Sequence, residues 1–180
     1  MAQKNYHLLG FVAYSGTGKT TLLTQLIPLL KTKGLRIAVI KHSHHAFEID
    51  HEGKDSYRLR HAGAVQTLLT SQKRWALIEE TPEREIEVTL QEAIEHLDTD
   101  SIDLILTEGF KSASYPKIEL HRPSLNKPLL YPNDNDVIAI ATDAPLNELS
   151  PIPCLNLNAI DDIVCFIEDF IKTGTDRIVS

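Results

Sequence analysis

Short, unbroken apolar runs alternate along this chain with stretches whose apolar residues recur every three or four positions. Leu8, Leu9, Phe11 and Val12 mark the first run, and Leu22, Leu23, Leu26, Leu29 and Leu30 then repeat at helical spacing up to Gly34. The pattern predicts a strand over 6–13 and a helix over 19–33, with Gly34 just past its end. Residues 36–41 form a second strand, continuous and apolar as buried parallel strands are. The segment 42–54 is polar and irregular, and 55–62 suits a short helix ended by Gly63. Two short strands follow at 66–70 and 75–79. Thr89-Leu90-Gln91-Glu92 is a capping-box pattern that opens a helix with Leu90, Ala93, Ile94 and Leu97 on one face. A buried strand is expected at 102–107. Residues 117–121 alternate and read as an edge strand or hairpin arm. Pro123, Pro128 and Pro132 break the next segment into loop. Strands at 137–141 and 155–157 precede a last helix with one apolar stripe, Ile160, Ile163, Val164, Ile167, Phe170 and Ile171. Strands alternating with helices predict a three-layer α/β fold: a mostly parallel sheet flanked by helices, with an added hairpin or edge strands.

Composition narrows the class. A length of 180 residues suits a single domain, 1–180, and 42% hydrophobic content supplies a core. Net charge is −7 with no basic block, which argues against a nucleic-acid partner. Cys154 and Cys165 stand eleven apart with no Cys-x-x-Cys, so neither a disulfide framework nor a thiolate zinc site is indicated. No apolar run reaches membrane-spanning length, and the first residues lack a signal-peptide apolar region. A cytoplasmic protein is expected.

The chemistry concentrates where the first strand ends. Residues 13–20 read Ala-Tyr-Ser-Gly-Thr-Gly-Lys-Thr, a phosphate-binding P-loop in a strand–loop–helix context, with Ala13 where the pattern has Gly. Gly16 and Gly18 let backbone N–H groups curl around phosphates. Lys19 adds a point charge for the outer phosphates, Thr20 a hydroxyl for Mg²⁺, and the helix its positive dipole end. The nucleotide-binding candidates are therefore Ala13, Tyr14, Ser15, Gly16, Thr17, Gly18, Lys19, Thr20 and Thr21. Ala13 forgoes only easy access to positive φ. The fold class becomes a P-loop NTPase.

A metal-side carboxylate belongs at the same sheet edge. Glu108 follows its strand and qualifies, whereas Asp103 starts that strand, roughly 16 Å away at about 3.3 Å per residue. Thr20 and Glu108 are thus the Mg²⁺ candidates. Lys41-His42-Ser43-His44-His45 also leaves a strand at that edge, with Asp50, His51, Lys54 and Asp55 soon after. This stretch reads as a loop that senses nucleotide or binds an anionic substrate. Asp50 could orient water or reach Mg²⁺ through water. A transition-metal site using His42, His44, His45 and His51 is the bolder alternative, although adjacent histidines depart from structural spacing.

Taken together, Tyr14 to Leu22, Ile40-Lys41-His42-Ser43-His44-His45, Gly53-Lys54-Asp55-Ser56-Tyr57, Ala62-Gly63-Ala64, Ser71 to Ala76 and Leu104 to Lys111 resemble the molybdopterin-guanine dinucleotide biosynthesis protein B (MobB) family. The resemblance spans roughly residues 8 to 145. It implies a weakly hydrolytic GTP-binding accessory protein, with Mg²⁺, that assists conversion of molybdopterin to molybdopterin guanine dinucleotide. The guanylyltransferase, MobA, is the implied partner. Family members are homodimers using edge or hairpin strands, for which Pro116 to Pro123 is a candidate here. Lys41, His42, Asp50, Lys54 and Asp55 match family motif positions.

The common guanine signature Asn-Lys-x-Asp is absent: Asn126-Lys127-Pro128-Leu129 lacks its last residue. Asp143, beyond a late strand, could serve as the base contact. No glutamine or base is assignable to an attacking water, with Asp50 and Glu108 the catalytic candidates, so slow hydrolysis is expected. Two other readings stand beside this one. A P-loop small-molecule kinase needs an Arg-bearing lid, for which Arg58, Arg60 and Arg122 are candidates but no compact segment stands out. A nucleotide-binding module without useful hydrolysis needs only the loop.

Overall fold

The strands expected from the apolar runs assemble in a computed structural model that describes residues 6–43, 47–146 and 149–174. In chain order the elements are β1 (His7–Val12), α1 (Lys19–Thr32), β2 (Ile37–Lys41), α2 (Asp55–His61), β3 (Gln66–Ser71), β4 (Arg74–Glu79), α3 (Leu90–Glu95), β5 (Leu104–Glu108), β6 (Lys117–His121), β7 (Val137–Thr142), β8 (Cys154–Asn156) and α4 (Ile160–Thr173). The chain divides into two compact units, residues 43–88 and the remainder.

The larger unit holds a six-stranded sheet in the order β2-β5-β1-β6-β7-β8, with every pairing parallel. Parallel strands need helices or loops on both faces, and each face has its own core. Leu9, Phe11, Leu104, Leu106, Ile118 and Leu120 pack with Leu22, Leu26 and Leu30 of α1 and Ile163, Ile167 and Phe170 of α4. On the other face Leu8, Ile105 and Tyr115 pack with Leu90 and Ile94 of α3, whose Thr89–Glu92 capping box forms as expected.

Residues 117–121 are not an edge strand or hairpin arm. They form β6, buried and parallel between β1 and β7. The alternation is real, but both faces are covered. Ile118 and Leu120 enter the core, while Lys117 pairs with Asp134 at 3.0 Å and Glu119 accepts backbone N–H bonds from Leu130 and Tyr131 at 2.8 and 2.9 Å. Buried charges are tolerated only when paired in this way. A strand flanked on both sides has no free edge, so Pro116 to Pro123 cannot supply one to a dimer.

The smaller unit is built on the antiparallel β3–β4 hairpin, closed by Gln72 and Lys73, and carries α2. Its buried Arg60 donates to Asp50 at 2.9 Å and Glu80 at 2.8 Å and is ion-paired with Glu48.

Candidate functional site

All six parallel strands end at one edge of the sheet, and the candidate residues of the larger unit gather there. β1 runs directly into residues 13–20. Gly16 and Gly18 adopt φ of 80° and 99°, which glycine reaches without strain. Ala13 is not among the residues with positive φ, so the departure at that position has no backbone cost. Thr17 is buried, and its hydroxyl donates to the Tyr14 carbonyl at 2.8 Å, pinning the loop from inside. α1 begins at Lys19 with no side-chain cap among the described residues and no acid in its first turn. α3 has a capping box and α4 has Asp161 and Asp162. The start of α1 thus keeps its backbone donors and positive dipole end for an external anion.

The electrostatics match. The Lys19 ammonium donates to the Ala13 carbonyl at 3.3 Å. Burial lowers its pKa most; the negative charge of Glu108 opposes this, while Lys111 and Lys41 reinforce it. Glu108 ends β5 in register with Phe11 of β1, and Lys41 at the end of β2 faces it at 3.6 Å. Lys111 and Lys127 lie 6.0 and 5.9 Å from the Tyr14 ring. Four lysines therefore surround the P-loop of a chain whose net charge is −7, a local field suited to a polyanion. The oxygen donors of Thr20 and Glu108 suit Mg²⁺ in kind, since it takes carboxylate and hydroxyl oxygen beside phosphate.

β2 and β5 are locked together at this edge. The His42 amide donates to the Glu108 carbonyl at 2.8 Å, and the His42 and Phe110 rings stack with centroids 4.6 Å apart. A Cβ on Gly109 would lie 2.6 Å from that of His42, so only glycine fits. His42 is thereby placed beside Glu108. His44 and His45 lie outside the described residues. Among the described residues no three His, Cys, Asp or Glu side chains converge as metal ligands.

The remaining switch-loop candidates belong to the smaller unit. Lys54 stands just ahead of α2, and Asp55 opens it. Asp50 is held by Arg60, whose guanidinium hydrogen bond keeps its carboxyl below the usual range. A carboxylate so engaged is a poor proton acceptor at neutral pH. Arg60 is equally committed and unavailable as a kinase lid.

Asp143 follows β7 at the site edge, where it is ion-paired with Arg122, the residue after β6. Arg122 also donates from Nε to the Thr17 carbonyl at 2.8 Å, tying the P-loop to the far half of the sheet. The sequence offered Arg122 only as a lid candidate. Its position directly after a strand was the signal that it belongs to the loop edge.

A family described as molybdopterin guanine dinucleotide synthesis protein B matches residues 8–143. The molybdopterin-guanine dinucleotide biosynthesis adapter protein of Escherichia coli strain K12 is 46% identical over 166 residues, covering 92% of this chain and 93% of the relative. That of Haemophilus influenzae is 46% identical over 165 residues, covering 91% and 89%. A crystal structure of molybdopterin-guanine biosynthesis protein B superposes with a TM-score of 0.70 at 26% identity, covering 92% of this chain and 99% of that one.

Proposed function

This chain belongs to the molybdopterin guanine dinucleotide synthesis protein B family, and on that basis we propose that it is an adapter in molybdopterin guanine dinucleotide synthesis that holds GTP and Mg²⁺ at its P-loop. The observation that carries the nucleotide reading is the uncapped start of α1 behind Gly16 and Gly18, ringed by Lys19, Lys41, Lys111 and Lys127. Residues 13–21 cradle the phosphates, and Thr20 and Glu108 supply Mg²⁺ ligands. Bound Mg²⁺ would neutralise phosphate charge. Lys41 and His42 bracket Glu108 and form the near end of a switch loop that continues through Lys54 and Asp55.

Hydrolysis in this reading is slow. Glu108 is paired with Lys41, Asp50 is held by Arg60, and neither is free to activate water. The same pairing of Arg60 disfavours a kinase. The adapter works in the cytoplasm with molybdopterin or its guanine dinucleotide and with the guanylyltransferase MobA. It is a homodimer, for which the hairpin gives support: Leu68, Trp75 and Leu77 share one face of β3–β4 and are 59, 70 and 47% exposed. The whole chain, 1–180, acts as one nucleotide-binding domain with the hairpin unit as its insertion.

Calorimetric titration with GTP and ATP, with and without Mg²⁺, tests the reading. Mg²⁺-dependent GTP binding that Lys19→Ala abolishes is the expected result. Unchanged GTP binding by Lys19→Ala would remove the P-loop from the site.

A further inference from the structure

We propose that a hollow beside the P-loop takes the purine base and that Arg122 selects guanine by donating to its 6-oxo oxygen. The proposal rests on the nucleotide reading above and adds the basis of its base preference, in a chain without the Asn-Lys-x-Asp signature.

The hollow has a volume of about 230 Å³, and its walls include Gly18, Thr21, Gln25, Arg122, Leu157 and Asn158. Gly18 precedes α1 and Thr21 and Gln25 lie within it, Arg122 follows β6, and Leu157 and Asn158 follow β8, so the space opens at the P-loop edge of the sheet. A complete small-molecule site occupies roughly 300–1,000 Å³, so a smaller hollow suits one end of a ligand whose phosphates lie outside it. Leucine side chains offer apolar walls for the ring faces. The amides of Gln25 and Asn158 offer donors and acceptors to its edge.

The guanidinium of Arg122 is fixed at two corners. Its Nε donates to the Thr17 carbonyl at 2.8 Å, and its Nη1 is bound to Asp143. The third nitrogen, Nη2, has no hydrogen-bond partner among the described residues and is the atom nearest Gly18, 3.7 Å from where a Cβ would stand. Gly18 and Arg122 are both walls of the hollow, so this free arm faces it. A guanidinium only donates. Position 6 of guanine is a carbonyl acceptor, whereas position 6 of adenine is an amino donor. A fixed donor is satisfied by the first and left unpaired against the second, which is how polar sites reject analogues. Asp143 is then a positioning residue that aims Arg122, not a direct contact to the base.

The test uses the full chain with the Mg²⁺ complexes of GTP, ITP and ATP. ITP keeps the 6-oxo group and lacks the 2-amino group. For the unaltered protein, GTP and ITP should bind within about fivefold of each other and both at least tenfold tighter than ATP, the scale of one charge-assisted hydrogen bond. Arg122→Gln should bring GTP and ATP within about threefold of each other. As a second probe, Gln25→Trp on the exposed face of α1 should fill the hollow. It should weaken GTP at least tenfold while binding of inorganic tripolyphosphate is unchanged. Equal losses of GTP and ATP in Arg122→Gln would overturn the proposal, because Arg122 would then serve the phosphates or the loop alone. So would ITP binding as weakly as ATP, or GTP binding to Gln25→Trp as to the unaltered chain. Failure of the unaltered protein to bind any of the three nucleotides would instead strike the P-loop reading itself.

Discussion

Gly109→Ala probes the junction that positions Glu108, the carboxylate proposed to hold Mg²⁺. Gly109 has φ of 105°, and a Cβ there would stand 2.6 Å from the Cβ of His42, 3.2 Å from its carbonyl oxygen and 3.3 Å from its Cα. The left-handed conformation costs about 1–2 kcal/mol for a residue with a Cβ. An ordinary carbon–carbon contact is about 3.5–4.0 Å, so the two chains must part by roughly 1 Å. The obstacle is backbone and a Cβ, with no flexible side chain to swing away, so overpacking adds about 1–3 kcal/mol. The total expected is about 2–5 kcal/mol. Gly34→Ala is the control, since Gly34 has φ of 89° with nothing within 4 Å, and only the conformational part applies. Urea unfolding followed by far-ultraviolet circular dichroism measures both variants in the whole chain. The sole tryptophan, Trp75, lies in the hairpin and would report the smaller unit. Because the shift pulls His42 from the Glu108 carbonyl, Gly109→Ala should also weaken Mg²⁺-dependent nucleotide binding more than Mg²⁺-free binding. Equal destabilisation by the two variants would refute the close-approach argument.

Leu26→Ala, at a fully buried position under α1, should cost about 2–5 kcal/mol in urea unfolding with little change in nucleotide affinity. Lys41→Met should tighten Mg²⁺ binding at saturating GTP by up to about fivefold, by freeing Glu108 from an exposed ion pair, as a Mg²⁺ titration would read. Asp103 at the opposite sheet edge is held at a pKa of about 2, chiefly by its hydrogen bond from Arg36. Its folded value is depressed, so its contribution is complete above its ordinary value of 3.8 and fades as pH falls towards about 2. Asp103→Asn should therefore lower stability by a constant amount at neutral pH, and the gap to the unaltered protein should close between pH 4 and about 2 in acid unfolding.

The phosphate loop was legible because its signal is local: a strand, two glycines, Lys-Thr and a helix repeat lie within one short stretch. The place of Glu108 at the P-loop edge was legible by one step of topology, since parallel strands end on the same side, and the same step put Asp103 at the opposite edge. β6 was misread because alternation normally means one wet face, whereas here Lys117 and Glu119 face inward and find partners 17 and 11 residues later in the chain. Arg122 lies 105 positions from Thr17 and 21 from Asp143, the two residues it joins, and no spacing rule links such residues. The engagement of Asp50 by Arg60 was hidden for the same reason: a carboxylate in a polar loop looks free until its cation is located.

The polar side chains of β6 have a common task, which explains why a central strand carries them. A parallel strand usually returns to its neighbour through a helix that satisfies its own backbone. The connection from β6 to β7 has only two single-turn helices, at Pro123–Leu125 and Tyr131–Asn133, so much of its backbone needs outside partners. Glu119 accepts two of these amides, and burial, which raises its pKa, is partly offset by those same bonds. Lys117 holds Asp134 at 3.0 Å and Asp136 at 3.6 Å, clamping the end of the connection just ahead of β7. Arg122, at the start of the connection, is held by its own bonds to the Thr17 carbonyl and Asp143. Replacing these charges by apolar residues would suit the strand but release the far part of the connection. The buried charges of β6 thus hold the chain between two strands of the sheet, although neither Lys117 nor Glu119 belongs to the P-loop.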